Sequence, residues 1–434
     1  YQALVLKKNR HGWRERFGGV PRFSPDRPRV WIHAVSVGEV NCTPAMVKGL
    51  AESRPDVEIV ISSTTDTGFA RATQLYGPQR VFRFPLDFSV AINRALDRIR
   101  PTLIVLVELE VWYNLVHQAH RRGIPVAVVN GRLTPRSARR LSRLGGLARS
   151  MFERLAWVGA QDRAIAERFL GLGARKDSVE ITSSLKWDTA AVTDEVPGME
   201  SLRVALRIDP RVPLWVCGST GPGEEEILLD AYRVLVESGQ RTRLAIVPRK
   251  PERFDEVARL IEARGLRCLR RTQCPDSAEQ RVDAAGAVPV GGPKNGPIAT
   301  SPKPASGQAD SVILGDTLGE LRKFYALAAV VFVGRSLVPM GGSDPIEVAA
   351  LARPMLCGPH MENFHEPVSA LSAVGAIRTV TDAAQLCHEV ASLLGAGCDA
   401  QALRRRGREV VVANQGATAR TVRRLTLMLD EASA

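Results

Sequence analysis

Glu39 occupies a position in the sequence that suits acid–base chemistry. The apolar run at 28–35 predicts a buried strand, and Ser36-Val37-Gly38-Glu39 follows it directly, before a helical pattern. We expect Gly38 to allow a tight turn and Glu39 to lie in the first turn of the helix, where the helix dipole and free N–H groups stabilise an ionised carboxylate. The residue is therefore either an ordinary charge of a first helical turn or a general base.

Four further polar residues follow two other predicted strands, at 102–107 and 124–129. They are Glu108, Glu110, Asn130 and Arg132. In an extended chain the two glutamate side chains point to the same side. This arrangement is unfavourable unless hydrogen-bond donors or a substrate hydroxyl accompany the carboxylates.

A basic stripe and an uneven charge distribution mark the first third of the chain. The stripe consists of Arg136, Arg139, Arg140 and Arg143 at helical spacing. Residues 1–150 contain 24 Lys and Arg against 11 Asp and Glu, whereas 151–434 contain 35 of each, so the whole excess of +13 lies in the first third. Either the stripe is a solvated helix face, or it faces an anionic partner such as nucleic acid or a negatively charged membrane. The sequence has no zinc finger, RNP aromatic pair or KH loop, which disfavours nucleic acid.

Six residues of the second half have types and positions that suit a phosphate and a ribose. They are Arg249 and Lys250 after the predicted strand at 242–247, and Gly341, Gly342, Ser343 and Glu347 around the start of a predicted helix. Cations at a strand end attract a phosphate, and a glycine pair before a helix exposes backbone N–H groups that suit one. Glu347, one turn into the helix, could accept hydrogen bonds from a ribose diol.

The elements that position these residues alternate along the chain. Strands are predicted at 28–35, 57–62, 102–107, 124–129, 178–182, 213–218, 242–247, 329–333 and 354–357, and helices at 41–52, 91–100, 223–238, 252–264 and 344–352. Continuous apolar strands between helices are typical of parallel sheets covered on both faces. We therefore predict an α/β protein with two doubly wound domains and a cleft between them, with ligands bound beyond the carboxyl ends of the strands.

Composition sets the domain boundaries and excludes several classes of protein. The polar stretch at 187–200 predicts domains at 1–190 and 200–434, and the six Pro and five Gly among the 36 residues at 275–310 predict a disordered insertion. The 434 residues are 45% hydrophobic without a run of eighteen apolar residues, which excludes disorder of the whole chain and predicts no membrane span. Seven scattered cysteines favour a reducing compartment without structural zinc.

Ten short motifs, taken together and in order, carry a family resemblance. They are SVGE at 36–39, TTDTG at 64–68, PLD at 85–87, ELEVWYN at 108–114, NGRL at 130–133, LKWD at 185–188, PRKPERF at 248–254, GDTLGEL at 315–321, GGSDPIE at 341–347 and ENF at 362–364. The chain resembles the bacterial lipid A Kdo transferases (3-deoxy-D-manno-octulosonic acid transferases), which have two Rossmann-like domains in the GT-B arrangement. The resemblance spans nearly the whole chain except 275–310.

The resemblance implies a reaction and a set of roles. Kdo would pass from CMP-Kdo to a hydroxyl of a lipid A precursor, a step of lipopolysaccharide core biosynthesis, with inversion and without a cofactor or required metal. Glu39 is similar to the family's general base. The acceptor side of the first domain would hold Glu108, Glu110, Asn130 and Arg132, and the CMP-Kdo side of the second would hold Arg249, Lys250, Gly341, Gly342, Ser343 and Glu347.

The resemblance also implies a location. Members of the family usually have an N-terminal hydrophobic anchor followed by a basic stretch, which 7–17 matches here, so 1–6 would be the remnant of that anchor. The expected place of action is the cytoplasmic face of the bacterial inner membrane, on an anionic surface.

Departures from the family's motifs keep two alternatives open. The family has His where Lys250 stands, and His-Asn where Ser343 and Asp344 stand. The alternatives are a GT-B transferase that uses another nucleotide sugar, and a non-catalytic membrane-surface binding protein of the same fold. The number of Kdo residues transferred, the acyl pattern of the acceptor and the oligomeric state are not encoded in any pattern of the sequence.

Overall fold

The computed structural model describes residues 11–109, 111–274, 311–395 and 399–433. These residues divide into two compact units. The first contains the chain up to Thr189 together with the chain from Asn414 onward, and the second contains Ala190–Ala413. The predicted insertion at 275–310 lies outside the described residues.

Seven parallel strands form the sheet of the first unit. They are β1 (Arg29–His33), β2 (Glu58–Ser63), β3 (Val81–Arg83), β4 (Leu103–Val107), β5 (Val126–Gly131), β6 (Trp157–Ala160) and β7 (Val179–Ile181). Their order is β3-β2-β1-β4-β5-β6-β7, so the order reverses between β1 and β4. Ligands of doubly wound sheets bind outside the carboxyl ends of the strands at such a reversal.

Helices cover both faces of this sheet. They are α1 (Trp13–Arg16), α2 (Val37–Cys42), α3 (Pro44–Ser53), α4 (Asp66–Tyr76), α5 (Ser89–Ile99), α6 (Tyr113–Arg121), α7 (Pro135–Ser142), α8 (Gly146–Phe152) and α9 (Arg163–Gly171). Along β4, Ile104 and Leu106 belong to one buried core layer, whereas Val105 and Val107 belong to the other. Because both faces are covered, the strand is apolar at every position rather than at every second one.

The second unit repeats this plan. Its strands are β8 (Leu214–Thr220), β9 (Arg243–Pro248), β10 (Arg267–Arg270), β11 (Ser311–Leu314), β12 (Val330–Val333), β13 (Met355–Cys357) and β14 (Ile377–Thr379). They are parallel in the order β10-β11-β9-β8-β12-β13-β14, and the order reverses between β8 and β12.

The remaining helices are distributed between the two units. They are α10 (Met199–Ala205), α11 (Glu225–Glu237), α12 (Phe254–Ala263), α13 (Leu321–Leu327), α14 (Ile346–Ala350), α15 (His365–Ala373), α16 (Ala383–Leu394), α17 (Asp399–Asn414) and α18 (Ala417–Ser433). Helix α18 packs against α3, and its Leu425 and Leu429 are fully buried in the core of the first unit. The predicted division assigned these last residues to the second domain, whereas the structure places them in the first unit. Their amphipathic pattern predicts a helix but does not indicate which sheet the helix covers.

The predicted elements are present, and the structure adds others. All nine predicted strands are found, with ends displaced by two residues or fewer. The predictions missed β3, β6, β10, β11 and β14, which have three or four residues each. Strands this short give few positions for an apolar run to stand out, and β3, β10 and β14 also contain arginine, whereas the equally short β12 and β13 are apolar throughout and were predicted. In the described part of the chain, no helix is long and apolar enough to cross a membrane.

Candidate active site

Glu39 lies at the carboxyl end of β1, beside the reversal of strand order. It occupies the third position of α2, whose N-cap is Ser36, and its side chain is 8% exposed. One carboxylate oxygen accepts from the N–H of Val35 at 2.8 Å, and the other accepts from Oγ of Ser36 at 2.8 Å. The Ser-x-x-Glu spacing is that of a capping box, which fixes the carboxylate in one orientation.

Burial changes the acidity of this carboxylate. It raises the pKa of Glu39 to about 7, and the negative charge of Glu108 adds to this increase. The hydrogen bonds from Val35 and Ser36 act in the opposite direction, because they favour the ionised form. A carboxylate with a pKa near neutrality can accept a proton from a substrate at physiological pH and hold it.

The expected role of Gly38 is wrong. It lies within α2, its φ is not in the left-handed region, and a Cβ there would meet only Oγ of Ser36, at 3.8 Å. The chain turns through the extended N-cap Ser36 instead, so no special backbone freedom is needed. The missing side chain leaves open space next to Glu39.

Glu108, Asn130 and Arg132 come together at the ends of β4 and β5. Glu108 follows β4 directly, with φ of 62°, and Asn130 is the next-to-last residue of β5, with φ of 52°. The N–H of Arg132 donates to the carbonyl of Glu108 at 3.4 Å. Glu110 lies outside the described residues.

Asn130 is fully buried and joins two segments of the first unit. Its Oδ1 accepts from the N–H of Leu185 at 3.0 Å, and its carbonyl accepts from Nε2 of Gln161 at 3.1 Å. Its Nδ2 is buried without a partner among the described residues. An orphaned buried amide donor beside Glu108 suits an oxygen atom of a bound molecule.

Two acidic residues of the shared motifs cap helices. Asp87 accepts from the N–H groups of Asn114 and Leu115 at 3.0 and 2.9 Å at the start of α6. Asp188 accepts from the N–H groups of Gly416 and Thr418 at 2.7 and 2.5 Å at the start of α18. These motifs are therefore explained by helix capping, a role that sequence reasoning missed.

In the second unit, Arg249 and Lys250 directly follow β9, and both are exposed. The N–H of Arg249 donates to the carbonyl of Thr220 at 3.1 Å, which ties the end of β9 to the end of β8. Nζ of Lys250 lies 3.5 Å from Oε1 of Glu252. The structure thus places two cations at the carboxyl edge of this sheet, as predicted.

The glycine pair lies in the loop before α14. Gly341 and Gly342 have φ of 82° and 78° and lie five and four residues before Ile346, where α14 begins, and the N–H of Gly342 donates to the carbonyl of Arg335 at 2.8 Å. They are needed for a close approach, because a Cβ on Gly341 would lie 2.1 Å from Nδ2 of Asn363. Oδ1 of Asp344 accepts a hydrogen bond from the N–H of Ile346. The pair therefore precedes a helix, as predicted, and its contact with a phosphate stays a prediction.

Tyr325, which sequence reasoning missed, marks where the remaining donor-side candidates meet. It is 1% exposed, and burial together with the negative charges of Glu347 and Asp344 raises its pKa, whereas Arg249 acts in the opposite direction. These three side chains therefore share one neighbourhood around Tyr325. Its hydroxyl would lie 2.3 Å from a Cβ on Gly218, so glycine is required there. Ser343 lies near β8, the strand that contains Gly218, with its Oγ 3.4 Å from the carbonyl oxygen of Ser219.

Glu224 is the counterpart of Glu39 in the second unit and has a different role. Both glutamates follow a glycine in the first βα connection of their unit. Glu224 is fully buried and accepts four backbone N–H groups, from Gly221, Arg335, Ser336 and Leu337, at 2.6 to 3.2 Å. Burial raises the pKa of Glu224 as well, but four backbone N–H groups surround its carboxylate, whereas that of Glu39 accepts two hydrogen bonds from the described residues.

Three more motif residues hold the second unit together. Arg253 pairs with the fully buried Glu225 at 2.6 Å. Asp316 accepts from Arg270 at 2.7 Å, and Arg271, Thr317 and Lys323 together hold the pKa of Glu320 at about 2, against the effect of burial. The basic partners at 270 and 271 belong to none of the shared motifs, so these pairs could not be predicted from the motifs.

The fold and the strand-end residues define the class of the protein. Two doubly wound parallel α/β units, each with polar residues at the carboxyl ends of its central strands, are the units of the GT-B fold. A solved UDP-GlcNAc 2-epimerase from Neisseria meningitidis has the same fold, with a TM-score of 0.55 and 12% identity over 92% of this chain and 99% of that one.

Sequence comparison gives the family. Residues 11–189 match the family model of 3-deoxy-D-manno-octulosonic-acid transferase (Kdo transferase). The chain is 32% identical to the 3-deoxy-D-manno-octulosonic acid transferase of Haemophilus influenzae over 96% of its own length and 92% of that protein's. It is also 32% identical to the transferase of that name from Bordetella pertussis, over 94% and 89% of the two lengths. The chain belongs to the 3-deoxy-D-manno-octulosonic acid transferase family and is a glycosyltransferase.

Proposed function

We propose that this enzyme transfers Kdo from CMP-Kdo to a hydroxyl of a lipid A precursor in lipopolysaccharide core biosynthesis, with inversion. The observation that carries the proposal is Glu39: a buried carboxylate with a pKa of about 7, at the strand-order reversal of a unit that matches the Kdo transferase family model. The names of the relatives indicate that the transferred sugar is Kdo. The general chemistry of nucleotide-activated sugars indicates the roles of the base and of the leaving group.

In the proposed step, the acceptor oxygen forms a bond to the anomeric carbon of Kdo as the bond from that carbon to the CMP phosphate breaks. Glu39 accepts the proton of the acceptor hydroxyl, and CMP leaves with the electron pair of the broken bond. Attack opposite to the leaving group inverts the anomeric centre. The carboxylate is held by Val35 and Ser36, so little reorganisation is needed at the moment of transfer.

The acceptor would bind beside Glu39 in the first unit. Glu108 and Asn130 lie at the ends of neighbouring strands, and the unpartnered Nδ2 of Asn130 offers a hydrogen bond to an acceptor oxygen.

The donor would bind at the carboxyl edge of the second unit. Arg249 and Lys250 provide the positive charge that a departing phosphate requires, and Glu347, near Tyr325, is the candidate for the ribose hydroxyls. Arg249→Ala should weaken CMP binding about tenfold, on the scale of one lost charge-assisted contact. Lys48→Ala, which removes an exposed lysine of α3, is the control, and equal CMP affinity of both variants in calorimetry would place the donor phosphate elsewhere.

We also propose that the first unit binds an anionic membrane surface. All four arginines of the basic stripe are exposed, and α7 buries no residue. Trp13 and Phe17 are 46% and 50% exposed beside Arg14, a combination that suits a lipid headgroup region. Arg16 does not contribute, because it is 5% exposed and donates to the carbonyls of His11 and Thr64.

The experiment that tests the proposed function is a transfer assay with a matrix of donors. The purified chain is incubated with a lipid A precursor and CMP-Kdo, or with UDP- or GDP-activated sugars, and product mass is measured. Thermal shifts with CMP, UDP and GDP are recorded in parallel. We expect a mass increase of one or more Kdo units with CMP-Kdo alone and the largest thermal shift with CMP. Transfer from a UDP- or GDP-sugar instead would favour the alternative that Ser343 and Asp344 suggest.

A further inference from the structure

Three arginines of the second unit gather at the end of its sheet opposite to the candidate donor site. Arg353 lies just before β13, at the amino end of this strand, whereas Arg249 and the 341–347 loop follow carboxyl ends. Arg404 and Arg408 lie one turn apart on α17. Burial lowers the pKa of Arg353, and the positive charges of Arg404 and Arg408 lower it further, so the three guanidinium groups lie within electrostatic reach of one another.

The partners of this cluster do not balance its charge. Nη2 of Arg408 lies 2.6 Å from Oδ1 of Asp194, and Nη1 of Arg353 donates to the carbonyl of Ala328 at 3.3 Å. Arg404 has no hydrogen bond or ion pair among the described residues, and the Nε atoms of all three arginines are buried without a partner there. Among the described residues, Asp194 pairs with Arg408 and also acts electrostatically on Arg353, and its carboxylate is 82% exposed.

The backbone that carries the cluster is well packed. The N–H of Arg353 donates to the carbonyl of Val348 in α14 at 3.2 Å. A Cβ on Gly407 of α17 would lie 3.7 Å from Cα of Ala349, so α17 lies directly against α14. The backbone that carries the three arginines is therefore held in place before any ligand arrives, which lowers the entropy cost of binding one.

We infer that Arg353, Arg404 and Arg408 form a binding site for a dianionic oxyanion of the size of phosphate. Two positive charges in excess over Asp194 match a dianion, and planar guanidinium groups donate paired hydrogen bonds to the oxygens of a phosphate. The site is separate from the proposed donor site. Helix α14 connects the two sites. It carries Glu347, and the N–H of Arg353, which follows its C-terminal end, donates to the carbonyl of Val348.

The test uses the full chain and inorganic phosphate at pH 8 and constant ionic strength. Binding is measured by calorimetry for the parent and for Arg404→Gln, which removes the arginine without a hydrogen bond or ion pair among the described residues. Arg405→Gln is the matched control, since it removes the same charge from the next residue of α17, where the side chain is 73% exposed and 3.7 Å from Glu409. Thermal unfolding without phosphate verifies that both variants are folded.

We expect Arg404→Gln to weaken phosphate binding about tenfold and Arg405→Gln to leave it within twofold, with CMP affinity unchanged in both. Asp194→Asn, which removes the competing carboxylate, should strengthen phosphate binding. Equal phosphate affinity of the two glutamine variants, or a phosphate signal reproduced by chloride at the same ionic strength, would overturn the inference. Neither result depends on transfer activity, so the proposed function stands or fails separately.

Discussion

At the residue scale, the raised pKa of Glu39 predicts how transfer responds to pH. Below about 7 the carboxyl group is protonated and cannot accept the acceptor's proton, so kcat should fall tenfold per pH unit on the acid side and level off above pH 7. The measurement is the initial rate at saturating substrates between pH 5 and 9, approximate bounds chosen to bracket this pKa. A rate that is constant down to pH 5 would assign the titrating base to another group.

Glu108 should tune this profile without supplying the base. Its negative charge raises the pKa of Glu39, so Glu108→Gln should move the acid limb to lower pH while a substantial rate remains at the plateau. Glu52→Gln, an exposed carboxylate of α3, is the control and should leave the limb in place. If Glu108→Gln abolished transfer at every pH, Glu108 rather than Glu39 would be the candidate base.

At the element scale, helix capping gives two of the motifs a structural role. Asp188→Ala removes the acceptor for the first N–H groups of α18, and the loss of such a cap costs about 0.5 to 2 kcal/mol. The Tm of the first unit should therefore fall by a few degrees. Asp177→Ala, at an 81% exposed carboxylate, is the matched control and should change Tm by less than a degree or so. Equal Tm values would show that α18 does not depend on this cap.

Glu224 gives the second prediction at this scale. Glu224→Ala leaves the N–H groups of Arg335, Ser336 and Leu337 without their acceptor in a buried loop, and each unsatisfied group costs about 1 to 3 kcal/mol. The second unit should unfold at much lower denaturant concentration than in the parent. Glu226→Ala, at a neighbouring residue of α11, is the comparison, and a Glu224→Ala chain as stable as Glu226→Ala would contradict the structural role assigned to Glu224.

Sequence patterns predicted the features that depend on a single strand or helix. Continuous apolar runs predicted the central strands because both faces of each sheet are covered, and strand ends predicted where Glu39, Glu108 and Arg249 lie. They did not predict the features that depend on contacts between residues far apart in the chain. The partner of Asp188 is more than 200 residues away in the chain, Tyr325 belongs to a helix with no polar motif, and the conformation of Gly341 depends on Asn363.

At the scale of the whole molecule, the charge asymmetry predicts salt-sensitive binding to anionic vesicles. A variant with Gln at the four stripe arginines (136, 139, 140 and 143) should co-sediment less with anionic vesicles, because each Lys or Arg near such a surface contributes about 1 kcal/mol. The matched control replaces four exposed arginines of the second unit, Arg211, Arg233, Arg241 and Arg259. Binding by the parent should weaken from low to physiological salt, and neutral vesicles should bind little.

If both four-arginine variants bound vesicles like the parent, or neutral vesicles bound as well as anionic ones, the basic third of the chain would be a solubilising surface only. This outcome would leave the transfer chemistry untouched, since neither set of arginines includes a residue proposed to touch substrate.

The most direct test of the account is single-turnover transfer by Glu39→Gln at pH 8. A glutamine at this position can accept from the N–H of Val35 and donate to Oγ of Ser36, so the fold and CMP binding should persist. Burial raises the pKa of the folded carboxyl from 4.5 to about 7, so its ionisation removes stability as pH rises through this range, and the amide should be at least as stable as the parent at pH 8. Because the amide cannot accept a proton, the account predicts a rate lower by about 100- to 10,000-fold with CMP affinity unchanged. A folded Glu39→Gln chain that transfers Kdo within a few-fold of the parent rate would contradict it.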